Sequence, residues 1–207
     1  MVVGLGNRGV TPDALGPAAI DKTLVTRHML SSPYAPPHMR SVCAIAPGVL
    51  GITGIETVEM VESLAAKLKP RMIVCIDSLA ARDASRIGCT VQISDAGIQP
   101  GSGVGNHRKP LTRDTVGVDV IAVGVPTVIY AATLARDAFT LLSPDQNDEQ
   151  ALAAIERDLL RTELGTLIVT PRDIDLIIAD CAAVIAGGIN RALQPDLTDA
   201  QISEMMN

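Results

Sequence analysis

Short apolar runs alternate with longer segments in which apolar residues recur at helical spacing. The strongest run is 72–76, five consecutive apolar residues, a pattern typical of a strand that is covered on both faces. Similar runs at 1–5, 41–46 and 119–125 predict further strands, and residues 55–68 have the spacing of an amphipathic helix. The alternation predicts an α/β fold, with a mostly parallel, twisted sheet and helices on both of its faces.

Proline, glycine and acidic residues indicate where these elements begin and end. Thr11-Pro12-Asp13 has a capping residue, a proline at the first helical position and an acid in the first turn. We expect this helix to extend to about residue 30. The other predicted segments are a short helix to about 87, a strand at 90–94, helices at 127–142, 149–163 and 170–193, and an edge strand at 167–169. At 207 residues, the chain is predicted to form one α/β domain, 1–207.

Two aspartates follow predicted strands. Asp77 comes directly after the run 72–76, where that strand is expected to leave the sheet, and Asp13 follows the first strand after a short loop. In open α/β sheets, ligands bind beyond the carboxyl ends of the strands, so the two carboxylates are expected to meet there. Purely structural roles remain open for both residues. Asp13 would favour a helix macrodipole, and Asp77 could cap a following helix.

Two carboxylates within a few ångströms of each other cannot both ionise readily. One therefore keeps a proton at neutral pH while the other stays charged. The charged carboxylate can deprotonate a water molecule, and the protonated one can donate a hydrogen bond to a substrate carbonyl. This arrangement predicts general acid–base hydrolysis of an amide.

A glycine-rich segment, residues 94–106, follows a predicted strand. Its backbone N–H groups could face a ligand and hold an anion or an oxyanion, and an ordinary surface loop is the alternative. Its glycine spacing is neither that of a dinucleotide-binding turn nor that of a phosphate-binding loop. The candidate supporting residues of this segment are Asp95, Gln99, Gly101, Ser102 and Gly103.

The composition excludes several classes of function. The chain has one Phe, two Tyr and no Trp, and its formal net charge is −6. A chain so poor in aromatic rings and positive charge lacks stacking platforms and phosphate contacts, so we expect no nucleic-acid partner. No run approaches the roughly 18–20 apolar residues that span a bilayer, so we expect no membrane partner.

Residue spacing also limits the catalytic groups and cofactors. No two histidines have the spacing of metal ligands, so we predict no metal and no cofactor. The chain has no G-x-S-x-G elbow, and its cysteines lack a nearby histidine, which disfavours serine and cysteine hydrolases. The cysteines are widely spaced and are predicted to be reduced, as in a cytosolic protein. They are Cys43, Cys75, Cys89 and Cys181.

Several long strings of this sequence resemble the germination protease (spore protease) family, an aspartic-type peptidase family of endospore-forming bacteria. The strings span nearly the whole chain in the family's order. They are VVGLGN (2–7), VTPDALGP (10–17), TRH (26–28), APGVLGITGIET (46–57), IDSLAAR (76–82), QISDAGIQPGSGVGN (92–106), GVPTV (124–128), VTPRDID (169–175) and GGIN (187–190).

The resemblance implies an endopeptidase that degrades small acid-soluble spore proteins during germination, in the cytoplasm of the forespore or spore core. It implies a zymogen and a homo-oligomer, a tetramer in the family. The implied fold is similar to that of the hydrogenase-maturation endopeptidases, in which carboxylates at these two strand ends help to bind nickel. The catalytic aspartates implied by the motifs TPDALGP and ID-x-LAAR are Asp13 and Asp77.

Supporting or substrate-binding roles are expected for residues near these motifs. Asn7 belongs to the VVGLGN string, and Glu56 could reach the sheet edge or lie on a solvated face. His107, in the basic turn that follows the glycine-rich segment, is a further candidate. The family has histidine where this chain has Gln99, and lysine where it has His107, while Tyr130 also departs from the family's pattern.

The resemblance leaves two alternatives to an active aspartic peptidase. The family carries a propeptide and an N-terminal segment ahead of VVGLGN, so the chain is interpreted as a shortened relative that lacks this pro-region. Such a relative could be catalytically inactive and bind spore proteins or another partner. Alternatively, the chain could be a metal-assisted endopeptidase of the hydrogenase-maturation type.

Overall fold

The chain folds around a mixed sheet with helices on both of its faces. The computed structural model describes residues 1–101, 109–142, 149–159 and 161–206. Its strands are β1 (Val2–Gly4), β2 (Ala44–Ile45), β3 (Met72–Ala81), β4 (Gln92–Ser94), β5 (Asp119–Tyr130) and β6 (Ile168–Val169). Its α-helices are α1 (Leu15–Ile20), α2 (Leu50–Thr53), α3 (Thr57–Leu68), α4 (Arg113–Val116), α5 (Ala131–Leu142), α6 (Glu149–Leu159), α7 (Ile174–Leu193) and α8 (Asp199–Met206). Single turns of 3-10 helix lie at Thr11–Asp13, Ala84–Arg86 and Glu163–Thr166.

The strands are ordered β2-β1-β3-β5-β4, and β6 also pairs with β5. β2, β1, β3 and β5 are parallel to one another, whereas β4 and β6 run antiparallel to β5. The long central pair starts at Met72 opposite Asp119 and continues to Ala81 opposite Ile129. The predicted α/β class with a mostly parallel sheet is therefore confirmed.

Alternate residues of the buried strands pack against helices on opposite faces of the sheet. In β3, Val74 and Ile76 belong to the cluster that α1 and α7 cover, whereas Ile73 and Cys75 belong to the cluster that α3 and α4 cover. The buried part of the core is aliphatic. A strand that is covered on both faces explains why the run 72–76 contains no polar residue.

Strand β3 does not end at Asp77, and the short helix expected after it is wrong. The strand continues to Ala81, because β5 also continues through Pro126 to Tyr130 and supplies partners for it. Leucine and alanine favour a helix in isolation, but strand pairing outweighs that preference here. Since β1 ends at Gly4, opposite Ile76, Asp77 lies immediately beyond the end of β1.

The predicted helix at 11–30 is also too long. A turn of 3-10 helix and the six residues of α1 replace it, because the residues that follow α1 bond to other parts of the chain. The N–H of Leu24 donates to Asn190 Oδ1 at 2.8 Å, and the N–H of Thr26 donates to Val42 O at 2.9 Å. These long-range hydrogen bonds take the donors that a longer helix would need.

Helix α7 is long and apolar enough to cross a membrane by length and composition, with a mean hydropathy of 1.6. No such segment was predicted from the sequence, because polar and charged residues interrupt the apolar residues of this helix. Core helices of globular proteins meet the same criterion. In this fold, Ile178, Ala182 and Ile185 are buried in the core cluster against the sheet.

Two glycines allow α1 to cross β1 at very short distance. A Cβ atom on Gly16 would lie 2.2 Å from Leu5 O, and one on Gly4 would lie 2.3 Å from Gly16 O. Backbone atoms cannot move aside as a flexible side chain can, so only glycine fits at either position. This close approach holds the turn that carries Asp13 against the end of β1.

We expect Gly16→Ala to lower the free energy of unfolding by about 3 kcal/mol, the upper end of overpacking costs, because the added methyl group meets backbone. Urea denaturation measures the change. The matched control is Gly187→Ala, at an exposed position of α7 where an added Cβ has no neighbour within 4 Å. That variant should be stabilised by up to about 1 kcal/mol. Equal stabilities of the two variants would contradict the packing argument.

Candidate active site

A cavity of about 420 Å³ lies beyond the end of β1 and beside the second half of β3. Both aspartates singled out from the sequence line it. Its lining consists mainly of apolar side chains and backbone, and includes Leu5, Gly6, Asn7, Val10, Pro12, Asp13, Val49, Thr57, Asp77, Ser78, Leu79, Gly101, Thr127, Val128, Ile168 and Thr170. The expected convergence at this edge of the sheet is therefore observed, although Asp77 reaches it from within a strand.

Asp13 is half-buried at the end of the 3-10 turn and is held from the side of β1. The N–H of Asn7 donates to both Asp13 Oδ2 at 2.8 Å and Asp13 O at 3.1 Å. Gly6 makes this contact possible: its φ is +110°, and a Cβ there would lie 2.0 Å from Asp13 O. A backbone N–H bound to a carboxylate oxygen favours the ionised form of that carboxyl group.

Asp77 is only 6 % exposed, and its Oδ1 accepts a hydrogen bond from the N–H of Ser78 at 2.9 Å. Burial, and after it the negative charge of Asp13, raise the pKa of its carboxyl group to about 8, although the Ser78 bond partly opposes both effects. The two carboxyl groups therefore differ in protonation state. At neutral pH, Asp77 keeps its proton while Asp13 carries the charge.

The other nucleophile candidate of this region is inert. Cys75 lies two residues before Asp77 and is completely buried, and burial, together with the nearby Asp77 carboxylate, raises the pKa of its thiol to about 12. A protonated, inaccessible thiol does not attack a substrate. This agrees with the sequence argument against a cysteine peptidase.

The match to known proteins extends over most of the chain. The family model for germination proteases matches residues 1–164. The germination protease of Clostridium perfringens is 47% identical over 226 residues, which cover 100% of this chain and 69% of that protein. The germination protease of Bacillus subtilis is 41% identical over 93% of this chain and 66% of its own length. This chain belongs to the germination protease family.

As a member of the germination protease family, the protein is a peptidase. The aspartate pair therefore lies in a hydrolase. A solved structure, the NiFe hydrogenase maturation protease HycI of Thermococcus kodakarensis, matches with a TM-score of 0.43 and 18% identity. The match covers 93% of this chain and 90% of that one.

The structure brings some of the other predicted site residues to the cavity and leaves others outside it. Asn7 and Gly101 line it, the former through its contact with Asp13. Glu56 is half-buried just before α3, and Asp95 is exposed just after β4. Neither lines the cavity. Gln99 is half-buried beside Pro100, which does line it. Ser102, Gly103 and His107 lie outside the described residues.

The second wall of the cavity was not predicted from the sequence. Thr127, Val128, Ile168 and Thr170 form it. Thr127 and Val128 were missed because the strand was predicted to end at residue 125, before Pro126, and a helix to begin at 127, whereas β5 continues to Tyr130. The polar residue directly after that proline, within a string of the family's pattern, was a usable signal.

A second cavity of about 670 Å³ adjoins the first, because Leu79 and Ala80 line both. It is more polar, and its lining includes Arg82, Arg86 and Tyr130. Leu79 and Ala80 thus place this cavity along the second half of β3.

We expect the stability of the protein to fall as the pH rises from about 4 to about 8. The folded state binds the Asp77 proton in this range and the unfolded state does not, so each pH unit costs at most about 1.4 kcal/mol. Asp77→Asn should remove this slope and be the more stable protein at pH 8. Urea denaturation between pH 5 and 8 measures both slopes.

The matched control is Asp21→Asn. Asp21 is exposed, and its ion pair with Arg8 lowers the pKa of its carboxyl group. Its contribution to stability is lost only as the pH falls through that lowered value, outside the range measured. An unchanged slope in Asp77→Asn, or the same change in Asp21→Asn, would contradict the assignment of the proton to Asp77.

Proposed function

We propose that this member of the germination protease family cleaves small acid-soluble spore proteins, with Asp13 and Asp77 as its catalytic pair. The observation that carries the proposal is the shared cavity, in which the carboxyl group of Asp77 is buried and the charge of Asp13 raises its pKa. Family membership supports the endopeptidase activity. The adjoining cavities support a polypeptide substrate.

In this mechanism, Asp13 is the general base and Asp77 is the general acid. The Asp13 carboxylate takes a proton from a water molecule, whose oxygen attacks the carbonyl carbon of the scissile peptide bond. Asp77 donates its proton to the carbonyl oxygen, which leaves a neutral tetrahedral intermediate. The protonated Asp13 then gives a proton to the amide nitrogen while Asp77 recovers its own, and the C–N bond breaks. Each assisted proton transfer contributes on the order of 10²–10⁴ in rate.

In this scheme, the hydrogen bond from the N–H of Asn7 favours Asp13 as the base. That donor stabilises the ionised carboxylate before the reaction and orients its Oδ2 atom. The protonated Asp77 has the opposite task. Its burial removes competing water and strengthens its hydrogen bond to the developing oxyanion.

A metal-assisted route of the hydrogenase-maturation type has little support in the donor set. The described residues contain no group of three or more His, Cys, Asp or Glu that could hold a metal ion. The described lining of the cavity offers two carboxylates, Asp13 and Asp77, fewer than the three protein ligands usual in a catalytic metal site. We therefore derive no step through a metal ion.

The remaining parts of the proposal rest on family membership alone. The enzyme would act in the cytoplasm of the forespore or spore core, where its substrates bind spore DNA. It would assemble as a homo-oligomer, a tetramer as the sequence resemblance implies.

We expect Asp13→Asn and Asp77→Asn each to lower kcat for a small acid-soluble spore protein by at least about 10³-fold, because each removes one proton transfer. Incubation of each variant with the purified substrate, followed by mass spectrometry of the fragments, measures this. Asp21→Asn, on the surface, should keep full activity. Full activity in either site variant with normal thermal unfolding would refute the catalytic pair.

We expect kcat/KM of the wild-type enzyme to fall above about pH 8, approaching tenfold per pH unit, because Asp77 loses the proton that it must donate. Initial cleavage rates between pH 6 and 10, with circular dichroism at each pH, separate this loss from unfolding. Rates that stay constant to pH 10 would exclude Asp77 as the acid. Repetition with a strong chelator should leave the profile unchanged, whereas a loss of activity would favour the metal-assisted alternative.

A further inference from the structure

Thr127 lies at an irregularity between the two long strands. The residues on either side of it, Pro126 and Val128, pair with Leu79 and Ala80, so Thr127 is one extra residue on β5. Such a bulge turns its side chain out of the regular alternation of the strand. Thr127 is completely buried, yet it also lines the cavity that holds both aspartates.

The hydroxyl group of Thr127 bonds to the turn that carries Asp13. Thr127 Oγ1 donates to Pro12 O at 2.7 Å, across 115 positions of sequence. Thr127 O in turn accepts a hydrogen bond from Thr170 Oγ1 at 2.9 Å. Thr127 therefore joins the turn to β5. At the same residue, Thr170 holds β5 from a third segment of the chain.

Two hydrogen bonds hold the turn, one from the segment after β1 and one from β5. From the β1 side, the N–H of Asn7 holds Asp13 itself. From the β5 side, Thr127 holds the preceding residue, and β5 is the partner of the strand that carries Asp77. Because β1 also pairs with β3, both bonds tie Asp13 to the strand that carries Asp77. The bond of Thr127 does so by way of Pro12 and β5, the partner on the other side of β3.

We propose that Thr127 is a positioning residue of this active site, whose hydroxyl group sets the place of Asp13 relative to Asp77 by way of Pro12. The inference rests on the proposed function of the aspartate pair. Displacement of a catalytic group by about 1 Å costs on the order of 10²-fold in rate. Thr127 itself takes no proton and does not contact the reacting atoms.

The test compares Thr127→Val, which has nearly the same shape but no donor, with Thr127→Ser, which keeps the donor. We expect kcat for a small acid-soluble spore protein to fall by on the order of 10²-fold in Thr127→Val, with KM within about twofold because the substrate still fills the same cleft. Thr127→Ser should recover most of the lost kcat.

The pH profile supplies a readout that a merely structural role would not move. In Thr127→Val the alkaline fall of kcat/KM should begin at lower pH, because a displaced Asp13 charge raises the pKa of Asp77 less. The control is Thr23→Val. Thr23 is also buried and donates through Oγ1 to a backbone carbonyl, that of Ala19, at 2.8 Å. This variant should lose stability but keep the wild-type kcat and profile.

Three results would overturn the proposal: unchanged kcat in Thr127→Val, a Thr127→Ser variant as slow as Thr127→Val, or an equal loss of kcat in Thr23→Val. If Thr127→Val does not fold, Thr127→Ala replaces it in the same comparison. Asp77→Asn is assayed in parallel. Full activity of that variant refutes the proposed function itself, whereas an inactive Asp77→Asn beside a fully active Thr127→Val refutes only the positioning role.

Discussion

The structure of this site depends on one buried carboxyl group next to a charged one. Ionised Asp77 would be a buried negative charge beside the negative charge of Asp13, which is costly in a low-dielectric interior. The protein avoids that cost by retaining the proton on Asp77. The same retention gives the pair an acid and a base at one pH, which neither carboxyl group could provide in water. The chemistry of the cavity thus follows from the difference in burial between two residues of the same type.

That difference in burial has its origin in the unequal lengths of neighbouring strands. β1 ends opposite Ile76, while β3 and β5 continue beyond it as a pair. The end of β1 leaves room for the turn that carries Asp13, and the longer strands form the wall that buries Asp77. Because Gly16 lets α1 approach β1 closely, the turn is brought to this wall rather than to solvent. Strand ends, a glycine contact and a bulge therefore cooperate in one arrangement, which a change in any of them would disturb.

Much of this could be predicted from the sequence, and the failures have identifiable causes. The apolar run 72–76 and the helical spacing of 55–68 predicted the parallel sheet and its covering helix, because burial on a strand or helix leaves a periodic pattern. The second half of β3 could not be predicted, since its leucine and alanines favour helix and only pairing with β5 holds them extended. Pro126 suggested the end of a strand for a similar reason: its lack of a donor is a local property, whereas the bulge that accommodates it is a tertiary one. The sequence predicted that the two aspartates would meet, but not which one would hold the proton. The degree of burial of each carboxyl group depends on the tertiary fold and cannot be predicted from the local sequence pattern.

In the proposed mechanism, stability and catalysis depend on the same proton. The proton on Asp77 removes a buried charge from the folded state, and in the proposed mechanism it is also the proton that the substrate receives. A substitution that stabilised ionised Asp77, such as a new cation beside it, would lower the pKa of its carboxyl group. The stability of the folded protein would then no longer depend on pH through this residue, and the proposed general acid would be lost. Under the proposed mechanism, activity requires a carboxyl group in surroundings that would favour an apolar residue, and the aliphatic core on both faces of the sheet supplies the stability lost there. The extended β3–β5 pair contributes residues to both core clusters, and it also buries Asp77.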